Sequence, residues 1–358
     1  MASVIDVSAL TINAEEERDI AAAIFEIAIT GGGIAESHEI ETGISYRQQI
    51  VFVGLIGLVG KAITGCSFPA HDNSLALTQK FWDPVQVGGR LSHCARDLNN
   101  LQKLFRRATN VNPDFYDKID SPELGLVTAA IETALLQMLH RLIWFGDKNA
   151  ALVANSGVIT AGTDLGFFTP IDGLFKQLFN DITTSADNYV AIAENQNASY
   201  AAQALTGTDR GMAILRAMYN ARSKQMRQAM SQGLVPVFYV TADIYDDYAN
   251  TLEDKSFNFT NNEARDGVNN QRYRGIEIVV RNDWDIIIQT YQDNGTKYNL
   301  PHRALLTFRS NIPVGTLATS DLETVSSFYD RKDLTNYMDF AMYLDTKHLV
   351  PELSVFAY

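Results

Sequence analysis

The feature that most constrains the fold is a helix of about seven turns, over residues 121–145, that is apolar on more than one face. Ser121 is a good N-cap, Pro122 suits the first helical position, and apolar residues recur at three- and four-residue steps until Gly146. Leu126 and Trp144 lie on the opposite side from that stripe. We therefore predict a helix covered by two layers, and a neighbouring subunit is one candidate for the second layer.

The segment before this helix has a different residue composition. Residues 34–97 are spaced by glycines, rich in β-branched residues and interrupted by Pro69 and Pro84, a pattern typical of extended hairpin structure. A segment of this length without helical periodicity cannot form a hydrophobic core of its own. We therefore expect it to pack against a neighbouring structure. Before it, Asn13 and the carboxylates that follow predict an N-terminal helix that ends at the glycines of 31–33.

The second half of the chain mixes helices and strands, which predicts an α+β fold. We expect one long helix over 209–231, a central strand at 235–240, a helix capped by Thr241 and a strand at 276–280. A turn at 293–295 precedes a strand at 304–308, and the tail alternates apolar and polar residues over 337–344.

Charge and hydropathy exclude several classes of protein. Lys and Arg number 29 against 42 Asp and Glu, a formal charge of −13, which repels phosphate and anionic membranes. The longest apolar run, at 50–60, is far short of the ~20 residues that span a bilayer. We see no secretory signal, and two cysteines give no disulfide framework. We therefore expect no membrane association and a reducing compartment.

The candidate cofactor and metal motifs do not match the residue patterns that such sites need. VGLIGLVGK at 53–61 has leucine and alanine where a phosphate loop needs glycine and a hydroxyl, and its glycines do not fit a dinucleotide fingerprint. Adjacent residues of a strand point to opposite faces, so His93 and Cys94 combine poorly with Cys66 and His71 into a zinc site. We predict no cofactor and no metal.

Catalytic groups are also missing from the pattern. There is no nucleophile elbow, and six histidines without a Cys–His signature give no support for a nucleophilic triad. Asp243, Asp246 and Asp247 are interpreted as a solvated helix face rather than a paired acid and base. Arg216, Lys224 and Arg227 form a basic stripe that is either ordinary surface or a contact for an acidic partner subunit. We expect no enzyme.

The order of these elements, and the wording of several segments, identifies a family. The segments are VFVGLIGLVGKAITGCSF (51–68), QKFWDPVQVGGRLSHCARDL (79–98), LHRLIWFGD (139–147), IDGLFKQLF (171–179), HRALLTFRSNIPVGT (302–316) and MDFAMYLDTKHLVPELSVFAY (338–358). The chain resembles the major capsid proteins of tailed bacteriophages with the Hong Kong 97-type fold. The residues of these segments are most like those of capsid proteins from phages that infect Bacteroidetes.

The resemblance implies a division of the chain. It makes 1–32 the N-arm, 33–97 an extended loop that overlaps a neighbouring subunit, 98–197 a peripheral domain whose spine helix is 121–145, and 198–315 an axial domain. Residues 316–358 then return as strands to the peripheral domain. Eight residues are candidate intersubunit contacts: Phe52, Leu55, Leu58, Lys61, Phe68, Trp82, Leu126 and Trp144.

The resemblance also implies a function and partners. The chain would assemble with itself as hexamers and pentamers into an icosahedral shell, made in the bacterial host cytoplasm and found as the virion capsid. Its partners would be portal and scaffolding proteins, a decoration protein in some relatives, and double-stranded DNA held by containment rather than by specific binding. An encapsulin-type nanocompartment of the same fold is the alternative. From other classes, an α/β enzyme or a tail-tube protein stays open.

Overall fold

The computed structural model describes residues 34–53, 77–94, 122–150, 165–184, 188–206, 209–254, 272–317, 326–330 and 335–358. The predicted N-terminal helix and the glycine-spaced 54–61 lie outside these residues. The α-helices among them are α1 Ile34–Ser37, α2 Pro122–Phe145, α3 Leu174–Thr184, α4 Tyr200–Gln203, α5 Arg210–Asn220, α6 Lys224–Ser231, α7 Ala242–Asp254 and α8 Asn282–Tyr291.

The strands form a six-stranded sheet, a five-stranded sheet and a two-stranded hairpin. They are β1 Ile40–Thr42, β2 Gln49–Val53, β3 Leu77–Phe81, β4 Val85–Cys94, β5 Tyr189–Val190, β6 Val237–Val240, β7 Arg272–Tyr273, β8 Ile276–Val280, β9 Ala304–Thr307, β10 Val314–Thr316, β11 Ser326–Asp330, β12 Thr335–Thr346 and β13 Val355–Ala357. The α+β class that the sequence predicts is confirmed.

The six-stranded sheet has the order β5-β13-β9-β6-β8-β7. Strand β6 lies inside it, parallel to β8 and antiparallel to β9, and all four of its residues are buried. This matches the run VPVFYV, which is apolar on both sides as a central strand must be. The carboxyl ends of β6 and β8 therefore meet at one edge of the sheet, where α7 and α8 begin.

The five-stranded sheet is organised by the long strand β12. It pairs antiparallel with β4 from Leu344↔Val85 to Thr335↔Cys94, and also with β10 and β11. The alternation of the tail sets its inward face, since Met342 and Leu344 are buried. Strands β2 and β3 pair only with each other among the described strands, as a hairpin.

Helix α2 ends where two glycines let backbones meet. A Cβ on Gly146 would lie 2.6 Å from Ile171 O, and one on Gly173 would lie 2.6 Å from Gly146 N. Gly173 N donates to Gly146 O at 2.8 Å. The loop before α3 can thus pass directly over the end of α2, and the aromatic core closes beneath, with the rings of Trp144 and Trp284 4.6 Å apart.

Several predictions need correction. The single helix predicted over 209–231 is two helices, because Ser223 ends the turn between them and caps α6 by accepting a hydrogen bond from Met226 N. Residues 34–37, expected to be extended, form α1. Helix α8 was not predicted at all. The last strand of the tail, β13, pairs with β5, which lies within the predicted peripheral domain 98–197, and with β9; the return of the whole tail to that domain stays a prediction.

Candidate assembly surface

Two of the predicted intersubunit residues lie in the chain's own core. Trp82 and Trp144 are each 0 % exposed. Trp144 packs against His38, Phe175 and Trp284. No surface of either ring is left for a neighbour, so the prediction that they make intersubunit contacts is wrong for these two residues.

The structure does not describe the side chains of the other six candidates. The backbone of Phe52 lies in β2 and that of Leu126 in α2. Leu55, Leu58, Lys61 and Phe68 lie outside the described residues. Their intersubunit role stays a prediction.

Trp82 fixes the base of the β2–β3 hairpin to the body of the protein. Its backbone N donates to Gln48 O, and its carbonyl accepts from Arg47 N, both at 2.9 Å. Gly315 lies against the ring, where a Cβ would come within 2.8 Å of Trp82 Cζ3. Lys80 in β3 adds a hydrogen bond to His348 O. The hairpin is therefore held at its base by a buried aromatic ring and by polar contacts to the tail.

Large apolar side chains remain exposed around this base and along the spine helix α2. Tyr46 is 68 % exposed, Phe81 44 % and Phe167 60 %. Phe167 borders an apolar groove of about 230 Å³ between β4 and α2, to which Gly88 and Met138 contribute. Contiguous apolar surface marks contact sites in soluble proteins, and this groove is the candidate for one. The arrangement is suited to binding another protein surface rather than to chemistry.

A buried Asp–His–Ser arrangement was missed by the sequence reasoning. His348 Nδ1 lies 2.5 Å from Asp181 Oδ2, and His348 Nε2 lies 2.5 Å from Ser354 Oγ. Burial lowers the pKa of His348 despite the charge of Asp181, so the neutral ring accepts the hydrogen bond of Ser354 Oγ. The three residues are brought together from α3 and the tail, and no local motif predicts that.

This arrangement has the connectivity of a catalytic triad but no room for a substrate. His348 is 1 % and Ser354 3 % exposed. Ser354 Oγ also accepts from Asn311 Nδ2 at 2.9 Å, and the adjoining cavity is about 20 Å³, the size of one water. The group therefore joins α3, the turn after β9 and the tail as a polar cross-link.

A second polar cluster lies at the edge of the six-stranded sheet where α7 and α8 begin. Asp285 Oδ2 accepts from Ala242 N at 2.9 Å, so α8 caps α7. Burial, with Asp243 and Asp283 nearby, raises the pKa of Asp285 to about 7. Burial is the largest influence on the pKa of His302 and lowers it, but the hydrogen bond and charge of Asp243, the hydrogen bond to Gln203 O and the charge of Glu194 together raise that pKa above its usual value. Asp243 is thus paired with His302 while its own side chain stays 38% exposed.

The described residues also bear on metal binding and on membrane insertion. Within the described ranges, no group of three His, Cys, Asp or Glu side chains is placed to hold a metal ion. Of the suspected zinc set, the backbone of His93 and Cys94 lies in β4, while Cys66 and His71 fall outside the described residues. No helix in the described part of the chain is long and apolar enough to cross a membrane.

Comparison with known proteins gives structural matches only. No protein-family model matches the sequence, and no curated protein matches it. A chain of the satellite phage P4 procapsid including the size determination (Sid) protein matches with a TM-score of 0.51 at 9% identity, over 94% of this chain and 97% of that one. A chain of Gordonia phage Cozz matches with a TM-score of 0.51 at 11% identity, over 91% and 85%.

A virus-like particle from Pyrococcus furiosus is also similar, with a TM-score of 0.45 at 10% identity over 95% of this chain and 98% of that one. At such identities the two matches with a TM-score of 0.51 show the fold alone. The two phage structures share it over nearly the whole chain. The α+β fold implied by the resemblance, the Hong Kong 97-type capsid fold, is therefore confirmed.

Proposed function

We propose that the chain is the major capsid protein of a tailed bacteriophage. It assembles as hexamers and pentamers into an icosahedral shell that encloses double-stranded DNA. The observation that carries this proposal is the shared fold with the satellite phage P4 procapsid chain, which extends over 94% of this chain and 97% of that one. The resemblance of several sequence segments to capsid proteins of phages infecting Bacteroidetes supports the proposal independently.

The described surface is consistent with a role carried out through interfaces. Exposed Tyr46, Phe81 and Phe167 surround the hairpin base and the groove on α2. Large aromatic side chains are enriched where protein surfaces meet. The candidate contacts retained for this role are Phe52, Leu55, Leu58, Lys61, Phe68 and Leu126.

The role is structural rather than enzymatic, and the partners are other virion proteins. Portal and scaffolding proteins take part in assembly in the host cytoplasm, and a decoration protein binds the finished shell in some relatives. The sealed Ser354 supports this view, because the one triad-like group among the described residues is closed to substrates. DNA is contained without specific contacts.

The test is to co-express the full chain with its scaffolding protein and measure the molar mass of the purified product by light scattering. We expect a narrow population of megadalton particles. A product that stays monomeric at every concentration contradicts the proposal. Particles that form without the scaffolding protein and enclose an enzyme cargo favour the encapsulin-type alternative.

A further inference from the structure

An unusual stretch of positive charge runs through this acidic chain. Residues 210–242 contain five Lys and Arg and no Asp or Glu, which leaves 24 basic and 42 acidic residues elsewhere. The rest of the chain thus carries a formal charge of −18. Cations from this stretch meet Arg274, from the turn between β7 and β8, where α5 ends and α6 begins. We call this group the basic corner: Arg222, Lys224, Arg227 and Arg274.

The basic corner is built around one aromatic ring. The guanidinium of Arg222 lies 3.3 Å from the centroid of the Tyr219 ring, and that of Arg274 lies 4.6 Å from the same centroid. Arg227 Nη2 donates to Asn220 O at 3.2 Å, which holds it beside the end of α5. These contacts to ring faces and carbonyls orient the cations without neutralising them.

The four cations are not compensated by the described carboxylates. No ion pair between described residues includes any of them, and the nearby Glu277 is paired with Arg309 at 3.2 Å. Helix α7 ends with Glu253 and Asp254 toward the same edge of the sheet, so this edge is not free of acids. Lys224 and Arg227 are exposed, and a partner's carboxylates can reach them.

Their placement also opposes local helix stability. Lys224 is the first residue of α6, Arg227 follows it by three, and the first turn holds no acidic residue. The N-terminal end of a helix is its positive end, where anions are favoured and cations are not. Helix formation alone would select the opposite charge here, so the arrangement points to an anionic group that binds from outside.

The opposite edge of the same sheet is acidic. Because β6 and β8 are parallel, their carboxyl ends share an edge, and α7 and α8 both begin there. Arg274 precedes β8 and therefore lies at the other edge, and Ser223 Oγ donates to Glu352 O just before β13, which also places α6 there. We call the group at the carboxyl edge the acidic edge: Asp243, Asp246, Asp247, Asp283 and Asp285.

Some members of the acidic edge already have partners. Asp243 binds His302, Asp247 accepts from Gly211 N, Asp283 binds Arg281, and the buried Asp285 accepts from Ala242 N. Asp246 is exposed on α7 and is the member most open to a second molecule. The α/β unit therefore has a cationic corner at one end of its strands and carboxylates at the other.

We propose that the basic corner binds the acidic edge of a second copy of this chain in a head-to-tail contact. Pairing corner with corner would oppose like charges, whereas pairing corner with edge joins complementary ones, as a heterologous interface requires. A nucleic acid is the less favoured partner, because the rest of the chain has a formal charge of −18 and repels a polyanion. The contact rests on the proposed shell function and names the surface that joins neighbouring subunits.

The test uses charge reversal and measures the critical protein concentration for shell assembly. In Lys224→Glu with Arg227→Glu, glutamates replace cations near the positive end of α6, which favours the helix, so the variant keeps its fold. We expect its critical concentration to rise by about tenfold or more, because like charges then face each other across the contact. Lys297→Glu, a charge reversal in the turn before β9, is the control and should assemble like the wild type.

The decisive variant adds Asp246→Lys to the two reversals. Every copy then has glutamates in the basic corner and a lysine in the acidic edge, so opposite charges face each other again across the contact. We expect the critical concentration to return toward that of the wild type, and the effect of the reversals to shrink at high salt. Failure of Asp246→Lys to restore assembly overturns the assignment of the acidic edge.

Two further outcomes separate this proposal from the proposed function. If Lys224→Glu with Arg227→Glu assembles like the wild type, the head-to-tail contact is wrong and the shell function stands. The same conclusion follows if that variant assembles normally but loses binding to a double-stranded DNA probe, since the corner then serves nucleic acid. If the wild type forms no shells, the proposed function fails, and this contact fails with it.

Discussion

The contact between Gly173 and the end of α2 gives the sharpest prediction about the fold. A Cβ on Gly173 would lie 2.6 Å from Gly146 N, 2.8 Å from Leu142 O and 2.9 Å from Ile143 O. All three are backbone atoms, so no side chain can rotate away. The hydrogen bond from Gly173 N to Gly146 O, at 2.8 Å, holds the two segments at this spacing.

We expect Gly173→Ala to lower the free energy of unfolding by about 3 kcal/mol, the upper end of the usual cost of overpacking, because two backbone segments must separate. Gly166→Ala is the matched control, since a Cβ there meets nothing within 4 Å. Alanine also restricts the unfolded chain, so the control should be neutral or more stable by up to about 1 kcal/mol.

The assay is chemical denaturation followed by near-ultraviolet circular dichroism, which reports the packing of Trp144 and Trp284 next to the contact. Wild type and variants must be compared at one protein concentration and in one assembly state, because association adds to apparent stability. Gly173→Ala unfolding within about 0.5 kcal/mol of the wild type, the range of ordinary surface changes, would refute the close backbone approach.

Three other predictions follow from buried groups. Trp82→Ala should lower the free energy of unfolding by about 3–5 kcal/mol in denaturation experiments, whereas Phe81→Ala, which truncates a half-exposed ring, should cost less than half as much. Since the folded pKa of Asp285 is raised to about 7, the folded state binds more protons than the unfolded state between about pH 4 and pH 7, and stability falls as pH rises through that window. Asp285→Asn should remove this loss, so melting curves should show it more stable than the wild type at pH 8 and little different at pH 4; an identical pH profile would contradict the burial of Asp285. Ser354→Ala leaves a buried imidazole without its hydrogen-bond donor and should cost about 1–3 kcal/mol, while Ser231→Ala on the exposed end of α6 should be nearly neutral.

Elements defined by local pattern could be predicted from the sequence. The helix at α2 and the buried strand β6 carry their own signals, a repeated apolar stripe bounded by Pro122 and Gly146 and a run of apolar residues on both faces. The interruption between α5 and α6 carries a weaker one. Ser223 gives a local capping signal, the hydrogen bond it accepts from Met226 N, but the bond from its hydroxyl to Glu352 O, 129 residues later, depends on the fold.

The candidate site was harder to predict because burial has two possible causes. Trp144 is apolar on a helix that is apolar all round, and the sequence does not distinguish a core position from a subunit contact. Asp181 and His348 are 167 residues apart, so only the fold brings them together. Helix α8 does carry a local signal, Asp283 and Asp285 in its first turn.

Electron microscopy of the purified, assembled protein tests the central claim most directly. Negatively stained fields should contain closed shells of uniform diameter with five- and six-fold capsomers. Dispersed monomers, or stacked rings without closed shells, would contradict the assignment of this chain as a capsid protein.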